Sequence, residues 1–202
     1  ELWREQVGAM GLDPEGTATL LDPDKIDEQL ATMPIATASY LHACTHTTFS
    51  CNVLDGGLMK TNVIPDSITL EVDVRTLPGE TRAEVQAHLD SALGNLAQHV
   101  EVEAIMNDVA SISRTDTRLW DAIAHAVSAP FPAGRISPRM SVGFTDARIY
   151  RELGAVAYGA GLLSPSLDAG EFGSRFHGND ERIDVESLAL TTQFWLDTIH
   201  AL

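Results

Sequence analysis

Basic residues are scarce in this chain: 13 Lys and Arg stand against 29 Asp and Glu among 202 residues, a formal net charge of −16 at pH 7. That balance argues against nucleic acid or an anionic membrane surface as a partner, because phosphate attracts a basic footprint and repels an acidic one. Cysteine is scarcer still. Cys44 and Cys51 are the only two, too few for a disulfide-stapled secreted scaffold. No apolar run approaches the ~18 residues of a membrane span. The opening Glu1-Leu2-Trp3-Arg4-Glu5 has no basic start leading into an apolar stretch, so a cytoplasmic location is expected. It also has no initiator methionine and begins inside a helical pattern, so a portion of a longer protein is expected. The composition, 44% hydrophobic and 21% charged, is that of an ordinary globular protein with ample material for a core, and the length suits one large domain or two small ones.

Residues 1–34 read as helix, interrupted at Gly11-Leu12-Asp13-Pro14 and at Asp22-Pro23-Asp24, since proline removes a backbone donor and biases its predecessor away from helix. From Thr45 to Leu54 a β pattern places Thr47, Phe49, Cys51 and Val53 on one face, and Asp55-Gly56-Gly57 supplies a turn. The clearest strand runs from Ser67 to Leu77, with Ile68, Leu70, Val72 and Val74 facing one way and Thr69, Glu71, Asp73 and Arg75 the other, as in a half-buried strand. Thr81-x-x-Glu84 is a capping box opening a helix with the stripe Val85, Leu89, Ala92, Leu93, and Gly94 terminates it. Val100, Val102 and Ala104 suggest a further strand. This order predicts an α+β sandwich with helices on one face.

Past residues 108–115 the pattern changes, and the best domain boundary lies there. Asp116 is positioned to cap a helix carrying Leu119, Ile123 and Val127, ending at Pro130-Phe131-Pro132. A short helix is expected from Thr145 or Asp146 to Leu153, closed by Gly154, and Ala155–Tyr158 reads as a strand. Residues 159–175 read as a long loop. Asp184 caps a last helix bearing Val185, Leu188, Trp195, Ile199 and Leu202.

Few residues carry obvious chemistry. His177, in Arg175-Phe176-His177-Gly178-Asn179-Asp180-Glu181, suits metal ligation or proton transfer, or a single local hydrogen bond. Asn62, just ahead of the strong strand, can bind a carboxylate or carbonyl, or bond its own backbone. Arg75 can grip a carboxylate in bidentate fashion, or pair with Asp73 on its own face. His42, Cys44 and His46 alternate, but without a fourth partner at zinc spacing they are set aside. His88-x-Asp90 lies within the amphipathic helix and reads as solvated surface. No G-x-S-x-G elbow is present, and Gly159-x-Gly161 lacks the rest of a dinucleotide fingerprint.

Gly56-Gly57, Asn62-Val63-Ile64-Pro65-Asp66, Asp73-Val74-Arg75 and Pro78-Gly79, taken in that order, resemble the lid domain of the dinuclear-zinc aminoacylase/carboxypeptidase family. That group includes acetylornithine deacetylase, succinyl-diaminopimelate desuccinylase, glutamate carboxypeptidase and the aminoacylases. Thr145-Asp146-Ala147-Arg148, Gly154 and Tyr158-Gly159 are similar to the stretch that follows the lid, and Phe176-His177-Gly178-Asn179-Asp180-Glu181 resembles the C-terminal signature. The resemblance covers about residues 45–202 and implies a ferredoxin-like α+β lid lacking its first strand over 1–108. Residues 109–202 would then be the C-terminal part of an α/β zinc-exopeptidase-like catalytic domain. It implies His177 as the last zinc ligand, Asn62 and Arg75 as lid residues holding the substrate's carboxylate or acyl oxygen, and Gly143 and Thr145 as neighbours of its carboxylate end. It also implies a homodimer formed through the lid and a small N-acyl amino acid or peptide as substrate.

The departures matter as much. The family's remaining ligands come from a His-x-Asp after a strand, a bridging Asp and an adjacent Glu-Glu pair. This sequence has no Glu-Glu, and its single His-x-Asp sits in a helix. One histidine cannot hold two zinc ions. The reading is therefore a C-terminal portion of a zinc-dependent hydrolase of the exopeptidase, deacylase or dipeptidase type. The intact enzyme would cleave an amide or peptide bond beside a free carboxylate and carry two zinc ions. The isolated chain is expected to hold little or no zinc and to be inactive. The alternative is a non-catalytic dimerisation or binding module derived from the same family.

Overall fold

The computed structural model describes residues 1–56, 60–176 and 179–202. The chain divides into two compact units, residues 1–112 with 139–145, and residues 113–138 with 146–202.

In the first unit, proline and aspartate set the helix boundaries. Helix α1 spans Leu2–Gly8 and α2 spans Pro14–Leu20. The predicted break at Asp13-Pro14 is the start of α2, because proline is suited to the first helical position and Asp13 Oδ1 accepts the Gly16 N–H at 2.7 Å. Helices α3 (Ile26–Ala31) and α4 (Ile35–Ala43) follow. Val7, Leu20, Ile26, Leu30 and Leu41 form the core of this cluster, with Trp3, Leu21, Met33, Ala38 and Tyr40 packed around it. The Trp3 indole donates to the Leu20 carbonyl at 2.9 Å, which keeps its one polar atom satisfied.

Strands β1 (Thr48–Asp55) and β2 (Thr69–Arg75) pair antiparallel, from Thr48↔Arg75 to Asp55↔Thr69. Phe49 lies opposite Val74 and Cys51 opposite Val72; after an irregularity between Cys51 and Val53, Leu54 lies opposite Leu70. Directly opposed residues share a face. The extra residue, Asn52, thus shifts the alternation, and Leu54 joins the apolar line where Val53 was expected. The half-buried strand expected at Ser67–Leu77 is instead largely open, with Leu70 50% and Leu54 73% exposed. Helix α5 (Arg82–Leu93) carries the predicted capping box between Thr81 and Glu84. It ends at Gly94, whose φ of 53° suits glycine. A 3₁₀ turn, Gly94–His99, follows. The strand expected at Val100–Ala104 is irregular chain, with Val100 and Val102 each 45% exposed. A strand needs a ladder partner, and among the described residues neither β1 nor β2 pairs with a third one. The result is an α+β unit with a two-stranded sheet.

The second unit is helical among its described residues: α6 (Arg118–Ser128), α7 (Ala147–Glu152), α8 (Ala169–Ser174) and α9 (Val185–Ala201). Ile123, Ala126 and Phe194 form its core, lined by Leu119, Val127, Ile136, Tyr158, Ala160 and Leu162. Thr117 rather than Asp116 caps α6, accepting the Trp120 N–H at 3.1 Å, while Asp116 pairs with Arg114 at 2.8 Å. The strand expected at Ala155–Tyr158 is irregular. Side chains satisfy its backbone in place of a ladder: Ser113 Oγ accepts from Ala157 N–H and donates to the Ala157 carbonyl, each at 3.1 Å, and Arg151 Nη2 donates to that carbonyl at 2.6 Å. The expected loop 159–175 contains α8, which Asp168 nucleates by accepting the Glu171 N–H at 2.8 Å.

The two units give different sensitivities. Phe194→Ala empties the α6/α9 contact and is expected to cost about 3–5 kcal/mol. Thr81→Ala removes only a cap and is expected to cost about 1 kcal/mol. Urea denaturation of both variants, followed by circular dichroism, measures the difference.

Candidate functional site

Residues 139–145, distant in sequence from the first unit's helices, are fastened to them by a small polar network. Tyr40 of α4 donates its hydroxyl to the Met140 carbonyl at 3.0 Å, and the Gln6 carboxamide oxygen of α1 accepts the Met140 N–H at 2.9 Å. Gln6 Nε2 in turn donates to the Tyr40 hydroxyl at 3.1 Å. Arg139 donates to the same hydroxyl at 2.7 Å, and its guanidinium lies 4.5 Å from the centre of the Tyr40 ring. Burial raises the Tyr40 phenol above its ordinary pKa, against the opposing pull of Arg139.

This anchoring carries Phe144 to the end of β2. The Arg75 guanidinium lies 5.7 Å from the centre of the Phe144 ring, within cation–π range. Its Nε donates to Asp73 Oδ2 at 2.7 Å, so the local pairing foreseen for Arg75 does form. Its Nη groups make no hydrogen bond with the described residues. Gly143 and Thr145 flank Phe144 and are exposed, so three of the four expected substrate residues share one neighbourhood. Asn62 sits in an exposed turn before β2, and no hydrogen bond or ring contact among the described residues joins it to that cluster.

His177 lies outside the described residues, as do Gly178 and Gly57. The chain on either side of His177 is well tied. Arg175 pairs with Glu171 at 2.5 Å and with Asp184 at 2.7 Å, and Phe172 meets Phe176 edge-on with centroids 4.7 Å apart. Asp184 also caps α9, accepting from the Ser187 N–H and hydroxyl, each at 2.7 Å. Those Ser187 bonds, with help from Arg175, hold the Asp184 carboxyl down to a pKa of about 2. Bonding to Glu171 raises the Arg175 pKa.

A concavity of about 460 Å³ lies elsewhere in the second unit, lined by Arg118, Asp121, Ala122, His125 and Ala201. It contains none of the expected site residues. The sequence reading overlooked two arrangements. One is the Gln6–Tyr40–Arg139–Met140 network, which no local motif announces. The other is the approach of Asp27 to His42 and His46, for which the four-residue spacing of the histidines was the available signal.

The first unit is thus an α+β unit with a polar, arginine-bearing strand end, and the second is helical. Residues 15–101 match the peptidase dimerisation domain. The chain is 28% identical over 160 residues to an N-fatty-acyl-amino acid synthase/hydrolase of Xenopus tropicalis, covering 78% of this chain and 30% of that protein. It is 22% identical over 174 residues to a "probable carboxypeptidase S-like 2" of Dictyostelium discoideum, covering 85% of this chain and 32% of that protein. These similarities support a portion of an M20-type peptidase, and the chain spans about a third of the length of these curated relatives. No solved structure matches it. No helix among the described residues is long and apolar enough to cross a membrane.

The Asp184 cap predicts a pH dependence. Its folded pKa of about 2 lies below the ordinary carboxylate value of about 3.9, so the charged form stabilises the fold above about pH 4 and that contribution disappears as pH falls towards 2. Asp184→Asn keeps a cap acceptor but removes the charge. Melting temperatures should differ between wild type and variant near pH 6 and converge on acidification.

Proposed function

We propose that residues 1–108 form the lid, and 109–202 the C-terminal part of the catalytic domain, of a zinc-dependent hydrolase that cleaves an amide or peptide bond beside a free carboxylate. The single observation that carries this reading is the Arg75–Phe144 contact. It brings the polar end of β2 beside Gly143 and Thr145, residues 68 or more positions further along the chain. A guanidinium whose Nε is held by Asp73 keeps an Nη edge suited to a carboxylate. In this reading Arg75 and Asn62 bind the substrate's carboxylate or acyl oxygen, and Gly143 and Thr145 bound its carboxylate end. The relatives' names point the same way. A carboxypeptidase substrate and an N-acyl amino acid both have a free carboxylate next to the amide bond, so the exopeptidase and deacylase forms share one recognition problem.

The described residues do not by themselves fit a two-zinc centre. The sequence has no Glu-Glu pair, and the His88 of its His-x-Asp pairs with Glu80 at 3.3 Å on the exposed α5. His177 is proposed as one ligand of a centre whose other ligands come from outside these residues, and no step is derived through the metal. The intact enzyme is proposed to be a cytoplasmic homodimer joined through its lids.

A second reading, a dimerisation module without chemistry, is favoured by the confinement of the family match to residues 15–101. Two variants of the full-length polypeptide separate the two, assayed with N-acyl amino acids and dipeptides. His177→Ala should reduce kcat/KM by at least about a hundredfold. Arg75→Ala should raise KM by about tenfold or more, the worth of one charged hydrogen bond. Full activity of the His177 variant overturns the enzyme reading. A full-length protein that turns over neither substrate class supports the module.

A further inference from the structure

We propose that Asp27, His42 and His46 form a second metal site in the first unit, one that takes a divalent transition-metal ion, zinc foremost, independently of His177. His42 is in the last turn of α4, and the His46 N–H donates to the His42 carbonyl at 2.9 Å. The helical turn therefore continues past Cys44 and sets the two imidazoles one turn apart on one side. Their rings are parallel, with centroids 4.2 Å apart and planes within 6°. Asp27, from the first turn of α3, completes the group: one ligand atom from each residue lies within 4.8 Å of the others. Cys44 does not take part. It is buried, and its Sγ accepts from Gln6 at 3.8 Å.

The contacts around the His46 ring are compatible with metal ligation through Nε2. Thr45 Oγ1 has one proton and two carbonyls to receive it, Leu41 at 3.0 Å and His42 at 3.2 Å. His46 Nδ1 faces that same oxygen at 3.0 Å and the His42 carbonyl at 3.3 Å. Donation from Nδ1 satisfies both of these contacts at once, and in that tautomer of the neutral ring Nε2 carries the lone pair. Nε2 lies 3.6 Å from Asp27 Oδ1. A lone pair and a carboxylate oxygen facing one another at this distance form two sides of a cation site. The Nδ1–H bonds to a hydroxyl and a carbonyl are the outer-shell support that metal-bound histidines use to fix tautomer and orientation.

Two imidazoles and a carboxylate select zinc or its late neighbours over magnesium and calcium, which take oxygen ligands. Zinc bonds of about 2.0–2.2 Å in a tetrahedron require ligand atoms roughly 3.3 Å apart. From a separation of up to 4.8 Å the group must close by about 1.5 Å, within reach of side chains at least partly exposed. Three protein ligands leave one position for water.

Titrating the 202-residue chain with Zn²⁺ alone, by calorimetry, tests the site; Co²⁺ serves as a coloured substitute. The expected result is about one zinc per chain, unchanged in His177→Ala. Affinity should fall by roughly a hundredfold or more in His42→Ala and His46→Ala, and by about tenfold in Thr45→Val, which leaves all three ligands in place and removes the hydroxyl beside Nδ1. Circular dichroism checks that the variants fold. In wild type, zinc should also shift the ¹⁵N resonance of His46 Nε2, a readout that needs no variant. The proposal is overturned if no zinc binds, which leaves a proton-bridged His46–Asp27 pair. Zinc binding that survives in both histidine variants, or vanishes in His177→Ala, overturns it equally.

Discussion

The Tyr40 hydroxyl is the point on which the first unit's functional geometry depends. It receives hydrogens from Gln6 and Arg139 and gives its own to the Met140 carbonyl, so one oxygen ties α1, α4 and residues 139–145 together. Its acceptor capacity is filled, and its burial is tolerable only because every partner is present. Phe144 stands four residues beyond Met140 on this anchored segment, and reaches the Arg75 guanidinium at the end of β2. The position of the candidate substrate residues is therefore a consequence of packing that lies well away from them.

A comparable economy holds in the second unit. Asp184 caps α9 through Ser187 and at the same time accepts a charge-assisted bond from Arg175, so the start of the helix and the end of α8 share one carboxylate. Arg175 spans from Glu171 to Asp184 and bridges the two sides of the stretch that contains His177. Ser113 and Arg151 do similar work at Ala157, where side chains take over the hydrogen bonds that a neighbouring strand would otherwise make. Irregular backbone persists here because its polar groups are answered.

What could be read in the sequence was what local chemistry determines. The Thr81/Glu84 capping box, the Asp184 cap, the glycine stop at Gly94 and the strand character of β1 and β2 all depend on residues a few positions apart, and all are present. Errors arose where a distant partner decides. Val100–Ala104 has strand composition but no ladder to join. Asn52 adds a residue to β1 and turns the alternation, a change visible only against the opposing strand. Asp116 looked like a cap until Arg114 claimed its carboxylate and Thr117 took the role. The histidines at 42 and 46 were judged by a strand's two-residue period, whereas α4 carries them at a helix's four. The family resemblance succeeded where single residues could not, because it used the order of several weak motifs rather than the strength of any one.

The acidic character of the chain constrains how it could recognise an anionic substrate. A net charge of −16 repels a carboxylate at long range, yet at physiological salt that repulsion is screened beyond about 8 Å. Recognition then depends on charges within contact distance. In the proposed role Arg75 would supply one, and Asp73 neutralises part of its charge through Nε. The Phe144 ring favours the cation without competing for its hydrogens, and by covering one face it leaves the in-plane Nη edge as the direction of approach. An arginine held in this way discriminates by geometry more than by charge. Under the proposed function, that would suit substrates that differ in acyl group or side chain but share a carboxylate at a fixed distance from the bond to be cut.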